Sequence, residues 1–374
     1  MKSATLSPNI YFISTLLIFL MIAQLHGQTA KSLPVRVAII GLTHTHVHWI
    51  LGRPDRGDIT IVGIVEPNRD LAQRYSKQHG FSMKIVFATM EEMIASTKPE
   101  AVTAFGTIFD HLKIVETFAP LGIHVMVEKP LTVSLDHALR MKALAEKYKI
   151  HLLTNYETSW YSTNHKIHEM VNRGAVGPLR KIVVHDGHKG PIELGINQEF
   201  LEWLTDPVKN GAGALTDFGC YGANLITWLK NGERPEEVTA VTQTLKPELY
   251  PNVDDEATII LKYPNTQGLI QASWNWPIAR KDMEVYGTTG YILSDNRSDL
   301  RYRLSENEQE QKEKLQERIS PFDDPFALLA AVVQKNVVLP PFDVSSLENN
   351  MIVMEILEAA KTSAATGKTI RLKK

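Results

Sequence analysis

Two short motifs contain residue types that could carry acid–base chemistry. Lys129 lies in the run Glu128-Lys129-Pro130, and Asp217 precedes Tyr221 by four residues. Burial can shift the pKa of a lysine toward a useful range, and residues four apart share one face of a helix. A carboxylate and a phenol on one face can orient a hydroxyl group and move its proton. The alternatives are a surface Lys129 paired with Glu128, and an N-cap aspartate followed by a packed tyrosine.

A phosphate-binding turn is expected at residues 41–46 (GLTHTH), directly after an apolar run. Gly41 matches the first glycine of the G-x-G-x-x-G pattern, whereas Thr43 and His46 replace the second and third. A pyrophosphate could still bind at the N-terminus of the next helix, where free N–H groups favour anions, and Thr43 could add a hydroxyl donor.

Glu66 ends a second apolar run, 25 residues after Gly41. An acidic residue in this region accepts hydrogen bonds from ribose hydroxyls in dinucleotide-binding folds and would repel a 2′-phosphate. The position therefore favours NAD over NADP, although the nearby Arg69 weakens that preference. The alternative is an ordinary surface acid in a turn.

Three histidines alternate along the turn, at His44, His46 and His48. Imidazole suits zinc, copper or iron, so a metal site is one interpretation. No cysteine or carboxylate accompanies the three residues in sequence, and the turn is expected to face a cofactor. We therefore predict no metal; His44 and His46 are expected to contact phosphate or substrate, and the remainder to pack.

The elements that must position these residues alternate between strands and helices up to residue 155. Such alternation predicts a parallel sheet with helices on both faces. The predicted strands are Val35–Gly41, Ile59–Val65, Ala101–Phe105, His124–Val127 and His151–Asn155, and the predicted helices are Arg69–Gly80, Phe109–Leu121 and Ser134–Tyr148.

Beyond residue 155 strands follow one another without intervening helices, which predicts a mainly antiparallel sheet. A single helix is expected at Asp217–Lys230, and a long one at Ser345–Ser363. The charged run Ser305–Arg318 is expected to form a solvated loop or a surface helix.

The first thirty residues are expected to be a signal peptide, because Lys2 precedes an apolar run of about 15 residues, shorter than the roughly 20 that span a bilayer. An uncleaved anchor is the alternative. We therefore expect an exported protein, periplasmic or secreted. The net charge of −2 argues against nucleic-acid binding. The one cysteine, Cys220, allows no intramolecular disulfide.

Taken together, four motifs in the same order resemble the glucose–fructose oxidoreductase/inositol dehydrogenase (Gfo/Idh/MocA) family. They are Glu128-Lys129-Pro130, the glycine-rich stretch 211–221, Gly174–Leu179 and Tyr286–Gly290. The resemblance implies an N-terminal Rossmann domain of the doubly wound type and a C-terminal α/β domain with a large, mostly antiparallel open sheet. We place the boundaries at 1–30 for the signal peptide, 31–155 for the Rossmann domain and 156–374 for the substrate and oligomerisation domain.

The resemblance also implies roles for individual residues. Lys129, Asp217 and Tyr221 would be catalytic, with Tyr221 at a position where the family frequently has histidine. Tyr221, helped by Lys129, would remove the hydroxyl proton while hydride passes to the nicotinamide. The cofactor-binding set would be Gly41, Thr43, His44, His46, Glu66, Thr107, His111, Glu128 and Lys129; His111 keeps the histidine of a family motif that is otherwise altered here.

The expected function is an NAD(P)-dependent oxidation or reduction of a sugar, cyclitol or related alcohol, with NAD held tightly because an exported enzyme has little free NAD. A glycoside hydrolase or lyase that oxidises its sugar transiently is one alternative. A non-catalytic sugar- or nucleotide-binding protein is another. The resemblance further implies a homodimer or homotetramer, and we expect no stable membrane insertion after signal removal.

Overall fold

The computed structural model describes Met1 and residues 33–372. Apart from Met1, the predicted signal peptide lies outside the described residues. Within the described part of the chain, no helix has the length and apolar character needed to cross a membrane.

The first half of the described chain forms a six-stranded parallel sheet in the order β3-β2-β1-β4-β5-β6, the order of a dinucleotide-binding fold. Alternate residues of β1 serve two separate cores, because Val37 and Ile39 pack on one face of the sheet while Ala38 and Ile40 pack on the other. The strands are β1 (Val35–Ile40), β2 (Ile59–Val65), β3 (Val86–Phe87), β4 (Ala101–Ala104), β5 (His124–Glu128) and β6 (Leu152–Asn155).

Helices cover both faces of this sheet, as the alternating pattern predicts. Ser134 caps one of them by accepting a hydrogen bond from the backbone N–H of His137. The helices are α1 (Val47–Leu51), α2 (Arg69–His79), α3 (Met90–Ser96), α4 (His111–Phe118) and α5 (Leu135–Tyr148).

The second half is built on a nine-stranded sheet in the order β14-β13-β12-β11-β7-β10-β9-β8-β15. Only the β7–β10 pair in this sheet is parallel. The strands are β7 (Leu179–Gly187), β8 (Glu237–Gln243), β9 (Glu256–Lys262), β10 (Gln267–Ser273), β11 (Arg280–Gly287), β12 (Tyr291–Ser294), β13 (Asp299–Arg303), β14 (Gln311–Lys314) and β15 (Ile370–Arg371).

The helices of the second half lie against this sheet, and the long C-terminal one also contacts the first half of the chain. Their fully buried members carry small and apolar residues on every side, which explains why helical periodicity is weak there. They are α6 (Ser162–Asn172), α7 (Pro191–Leu194), α8 (Gln198–Leu204), α9 (Ala214–Asp217), α10 (Gly219–Leu229), α11 (Pro325–Val333) and α12 (Leu347–Thr366).

Two predicted elements differ from the structure. The single helix expected at Asp217–Lys230 is interrupted at Phe218, so Asp217 ends α9 and does not cap α10. The charged run Ser305–Arg318 contains the exposed edge strand β14 in place of a helix. Charged side chains suit an exposed edge because they discourage pairing with another chain.

Gly213 allows the chain before α9 to approach Asp254 closely. The Asp254 carboxylate accepts hydrogen bonds from the backbone N–H of Gly213 at 2.8 Å and of Leu215 at 2.7 Å. A Cβ atom on Gly213 would overlap the backbone carbonyl oxygen of Asp254. The close approach therefore fixes where α9 starts and where Asp217 lies at its end.

We predict that Gly213→Ala lowers the free energy of unfolding by about 3 kcal/mol or more, because backbone must move to admit the methyl group. Gly106→Ala is the matched control, since a Cβ there meets no atom within 4 Å. Urea denaturation followed by circular dichroism measures both. Equal stability of the two variants would contradict this account of the turn.

His111 joins the start of α4 to the loop after β5. Its Nδ1 lies 3.0 Å from the carbonyl oxygen of Leu131, so Nδ1 carries the proton and donates. The side chain is fully buried, and this burial lowers its pKa to about 4, despite the hydrogen bond to Leu131. Because the folded pKa lies below that of the unfolded chain, His111 contributes a stability that is complete above about pH 6.5 and declines as the pH falls toward 4.

We predict that His111→Asn, which keeps a donor near the Leu131 carbonyl, reduces the loss of unfolding free energy between pH 6.5 and 4.5 by about 1–2 kcal/mol. Denaturation of wild type and variant at both pH values is the measurement. Any loss of unfolding free energy from altered packing is the same at both pH values and cancels when the two are subtracted. An unchanged pH dependence would show that His111 does not resist protonation in the folded state.

Candidate active site

Lys129 and Asp217 form a buried ion pair between the two halves of the chain. Lys129 follows the last residue of β5, and its Nζ donates to the Asp217 carboxylate and, at 3.0 Å, to the Asp217 backbone oxygen. Both side chains are almost fully buried. Burial alone would lower the pKa of Lys129 and raise that of Asp217, but the opposite charge outweighs it, so the pKa of Lys129 is raised and that of Asp217 lowered. Lys129 is therefore a cation and not a surface lysine paired with Glu128.

The Asp217 carboxylate is held from a second side. Trp274, which follows β10, donates its indole N–H to the other carboxylate oxygen at 3.0 Å. His188 lies near the same carboxylate, and burial lowers the pKa of its imidazole to about 4. Asp217 thus fixes the position of the lysine ammonium group.

Tyr221 lies one helical turn after Asp217, and the break at Phe218 does not separate them. The Nζ of Lys129 is 5.3 Å from the centroid of the tyrosine ring. Tyr221 is buried, and burial, followed by the negative charge of Glu157, raises its pKa well above the ordinary value. The three predicted catalytic residues therefore meet, with Tyr221 as a neutral phenol.

Lys281 and Glu157 complete the surroundings of Tyr221, and sequence reasoning missed both. Lys281 forms an ion pair with Glu157, and its Nζ lies 4.7 Å from the centroid of the Tyr221 ring. The pKa of Glu157 is lowered to about 2 because Lys281 and a hydrogen bond from Tyr161 outweigh the opposing effect of burial. Two lysines consequently flank one tyrosine.

Asp186 is a third residue near the cluster that sequence reasoning missed. It pairs with Lys281 across β7 and β11 in the sheet register. Its side chain is buried, and neither carboxylate oxygen has a hydrogen-bond partner among the described residues. Burial raises its pKa well above the ordinary value, so Asp186 is a neutral carboxylic acid beside the cluster. A single acidic residue in a strand forms no local sequence motif, so the sequence alone does not indicate that Asp186 is buried near the site.

Glu128, the last residue of β5, contacts His46 and Asn155. His46 Nδ1 lies 2.9 Å from one carboxylate oxygen of Glu128, and Asn155 donates to the other at 2.6 Å. Trp160 donates its indole N–H to the Asn155 side chain at 3.0 Å, and the His46 ring stacks on Trp49 at 3.8 Å. Glu128 thus ties the turn after β1 to the ends of β5 and β6.

His44, His46 and Glu128 offer three potential metal ligands within 4.8 Å of one another, so a carboxylate does accompany two of the three histidines in space. The hydrogen bonds of His44 argue against a metal ligand. Its Nδ1 accepts a bond from the backbone N–H of His46 at 3.0 Å, which places the proton of the neutral ring on Nε2. The pKa of His44 is lowered well below its ordinary value by burial and neighbouring cations. The buried Nε2 of His44, which has no partner among the described residues, is then a donor and not a ligand atom.

The remaining predicted cofactor residues lie around the turn after β1. Gly41 has φ +80°, and a Cβ there would lie 2.8 Å from the Gly106 nitrogen, so the turn needs glycine. The buried Glu66 accepts from the backbone N–H of Leu42 and of Asn68, both at 2.8 Å. Thr107 donates to the Asp110 carboxylate at 2.6 Å, so its hydroxyl hydrogen is used within its own turn.

Helix α8 of the second half lies over this turn. Trp203 donates to the Thr43 hydroxyl at 3.0 Å, and the Phe200 ring lies 4.5 Å from that of His44. Just before the helix, Asn197 donates to the hydroxyl of Tyr75 at 2.7 Å. The turn is therefore enclosed by protein on the side away from the sheet.

The residues present fit a dinucleotide, with altered contacts. Several backbone N–H groups of the turn already donate to protein acceptors. The polar atoms that remain available to a cofactor therefore include histidine nitrogens. His44 presents a buried donor, and His111 presents a buried acceptor at Nε2, neither with a partner among the described residues. A carboxamide or a hydroxyl group could satisfy such a pair.

Proteins similar to this chain include dehydrogenases of modest sequence identity. A trans-1,2-dihydrobenzene-1,2-diol dehydrogenase of Xenopus tropicalis is 23% identical over 239 residues, covering 63% of this chain and 67% of that protein. A D-xylose 1-dehydrogenase [NADP(+)] of Haloarcula marismortui is 24% identical over 268 residues, covering 71% and 73%.

Solved structures share the fold across nearly the whole chain. An inositol dehydrogenase homologue of Azotobacter vinelandii complexed with NAD+ has a TM-score of 0.79 at 17% identity, covering 91% of this chain and 98% of that one. An aldose–aldose oxidoreductase of Caulobacter crescentus complexed with glycerol has a TM-score of 0.76 at 20% identity, covering 91% and 100%.

Two family models match successive parts of the chain. Residues 35–156 match the oxidoreductase family with an NAD-binding Rossmann fold, and residues 164–293 match the Gfo/Idh/MocA C-terminal domain. Together with the two sheets and the cluster at their junction, these matches show that the chain belongs to the Gfo/Idh/MocA family of NAD-binding oxidoreductases.

Proposed function

We propose that this protein transfers hydride between a nicotinamide cofactor and a CH–OH carbon of a sugar, cyclitol or related alcohol. The observation that carries the proposal is the buried cluster of Lys129, Asp217 and Tyr221 at the carboxyl end of β5, where open α/β sheets bind their ligands. Burying two charges costs several kcal/mol, so stability alone is a poor explanation for an ion pair at this position. Relatives named for sugar and diol substrates support this substrate class.

The protonation states support distinct roles for the three residues. Lys129, a cation held by Asp217, would polarise the oxygen of the reacting carbon. Tyr221, a neutral phenol, would donate a proton to that oxygen during reduction. Nicotinamide supplies or accepts the hydride when bound. To accept a proton while the substrate is oxidised, Tyr221 must first lose its own. A neutral Tyr221 therefore favours reduction of the substrate near neutral pH, or a reaction cycle that returns the proton.

The cofactor in this proposal is NAD, held through many turnovers. The buried carboxylate of Glu66 lies where a 2′-phosphate would be repelled, while Arg69 is exposed. The contacts of α8 with the turn after β1 would slow exchange of a bound dinucleotide. Slow exchange suits the export that the N-terminal sequence predicts. A homodimer or homotetramer remains part of the proposal through the family resemblance.

We predict that Lys129→Met lowers turnover by at least about a hundredfold, as expected for the loss of an electrostatic or acid–base group. The measurement is the rate at which the absorbance of reduced nicotinamide rises with D-xylose, D-glucose or myo-inositol as the substrate. Because the variant leaves Asp217 buried without its partner, the double variant Lys129→Met/Asp217→Asn removes both charges and should restore stability but not turnover. Lys84→Ala, on the surface, is the control. Turnover of the double variant within about threefold of wild type would refute the assigned site.

We also predict that protein purified without added nucleotide releases close to one equivalent of NAD(H) on denaturation. Mass spectrometry of the supernatant distinguishes NAD(H) from NADP(H). Bound NADP(H) would contradict the role given to Glu66. A protein that is empty and also fails to bind added NAD(P) would favour a non-catalytic binding protein.

A further inference from the structure

A cavity of about 280 Å³ is lined in part by Glu157, which pairs with Lys281 beside Tyr221, and we propose that it binds one neutral sugar ring, the ring next to the one that reacts. This inference rests on the proposed function, because it assumes that the cluster oxidises or reduces a sugar. It makes the preferred substrate a two-ring compound, such as a disaccharide. The cavity is lined by Trp49, Arg53, Glu157, Trp160, Arg297 and residues 323–326.

The walls combine aromatic faces with hydrogen-bonding groups. Trp49, Trp160 and Phe326 offer apolar surfaces that suit the C–H faces of a ring. Asp323 has one carboxylate oxygen that is buried and without a partner among the described residues, so it can accept a bond from a hydroxyl group. A polyhydroxylated ring has both kinds of surface.

The charges of the cavity favour a neutral ligand. Glu157 is paired with Lys281, and Asp323 with Arg56 at 2.7 Å. Arg53 is committed to Asp58 and Asp324, which leaves it little capacity for a ligand. The carboxylates are thus balanced by fixed cations within the structure.

Arg297 is the cation best placed to contact a ligand at the mouth of the cavity. Its side chain is half exposed, and its guanidinium lies 3.7 Å from Glu317, a distance too long for a strong ion pair. Its N–H groups can donate to ring or hydroxyl oxygens. A substitution there removes a ligand contact without disturbing the core.

Three walls of the cavity contact residues that surround the catalytic cluster. Glu157 pairs with Lys281 above the Tyr221 ring, and Trp49 stacks on His46. Trp160 donates to Asn155, which in turn donates to Glu128. A ring in the cavity would therefore lie next to the reacting ring. Small-molecule sites usually measure about 300–1,000 Å³, so this one has room for a single ring and not for the whole substrate.

The test compares one-ring and two-ring probes in wild type, Arg297→Ala and Arg297→Lys. The probes are D-glucose, maltose and cellobiose. The kinetic readout is reduction of protein-bound NAD, with an added dye as electron acceptor to reoxidise it at each turnover, and saturation-transfer NMR is the binding readout. We expect wild type to prefer a disaccharide. Arg297→Ala should raise the disaccharide KM about fivefold to tenfold, as for a lost hydrogen bond to a charged group, with kcat and the glucose KM unchanged. Arg297→Lys should recover part of the loss.

Arg180→Ala, an exposed arginine on β7, is the matched control and should change neither KM. An equal KM change for glucose and disaccharide, or a wild type that binds no disaccharide of the panel, would overturn the subsite. Displacement of a bound disaccharide by NAD alone would assign the cavity to the cofactor and also overturn it. If no sugar reduces NAD but disaccharide binding depends on Arg297, the proposed function fails and the subsite stands.

Discussion

The buried pair of Lys129 and Asp217 is the constraint on which the arrangement of the site depends. Lys129 directly follows a strand of the parallel sheet, while Asp217 ends a helix that packs on the antiparallel sheet. Separating them would leave two uncompensated charges in a nonpolar interior, which is far more costly than keeping the pair. The pair therefore fixes the two sheets relative to each other at the point where chemistry is proposed. Gly213 and Trp274 serve the same end, since they fix Asp217.

Tyr221 lies between two opposing influences. Burial disfavours its phenolate, whereas Lys129 and Lys281, with Nζ atoms 5.3 and 4.7 Å from the ring centroid, favour negative charge there. In the structure burial prevails. In the proposed reaction, a substrate oxygen in contact with Lys129 would carry the developing charge in place of the phenol, and the lysines would then stabilise the reacting centre without requiring a free tyrosinate.

The sequence predicted those parts of the site that depend on local rules. Lys129 became a candidate because it follows an apolar strand, and Tyr221 because it lies four residues after Asp217; their catalytic roles came from the family resemblance. Lys281, Glu157 and Asp186 were missed because they come together through the register of β7 and β11 and the loop after β6, contacts that no local pattern encodes.

The same reasoning predicted the architecture of both sheets and most boundaries to within a few residues, since strand burial and helix capping are local. It failed at Phe218 and in the charged run, where tertiary contacts decide. The alternative of a Lys129–Glu128 pair is not what the structure has: successive residues at a strand end point to opposite faces, and His46 lies on the side of Glu128.

The altered phosphate-binding turn then follows from the same geometry. A glycine at position 43 would lack the hydroxyl that Trp203 binds, and a glycine at position 46 would leave Glu128 without its imidazole partner. Both replacements thus join the turn to other parts of the protein: Thr43 to helix α8 and His46 to the end of β5. Glycines in such a turn let the protein backbone approach a pyrophosphate closely. The side chains of Thr43 and His46 restrict that approach but bind the turn to the rest of the protein. A turn closed in this way suits a cofactor that stays bound between turnovers better than one exchanged at each cycle.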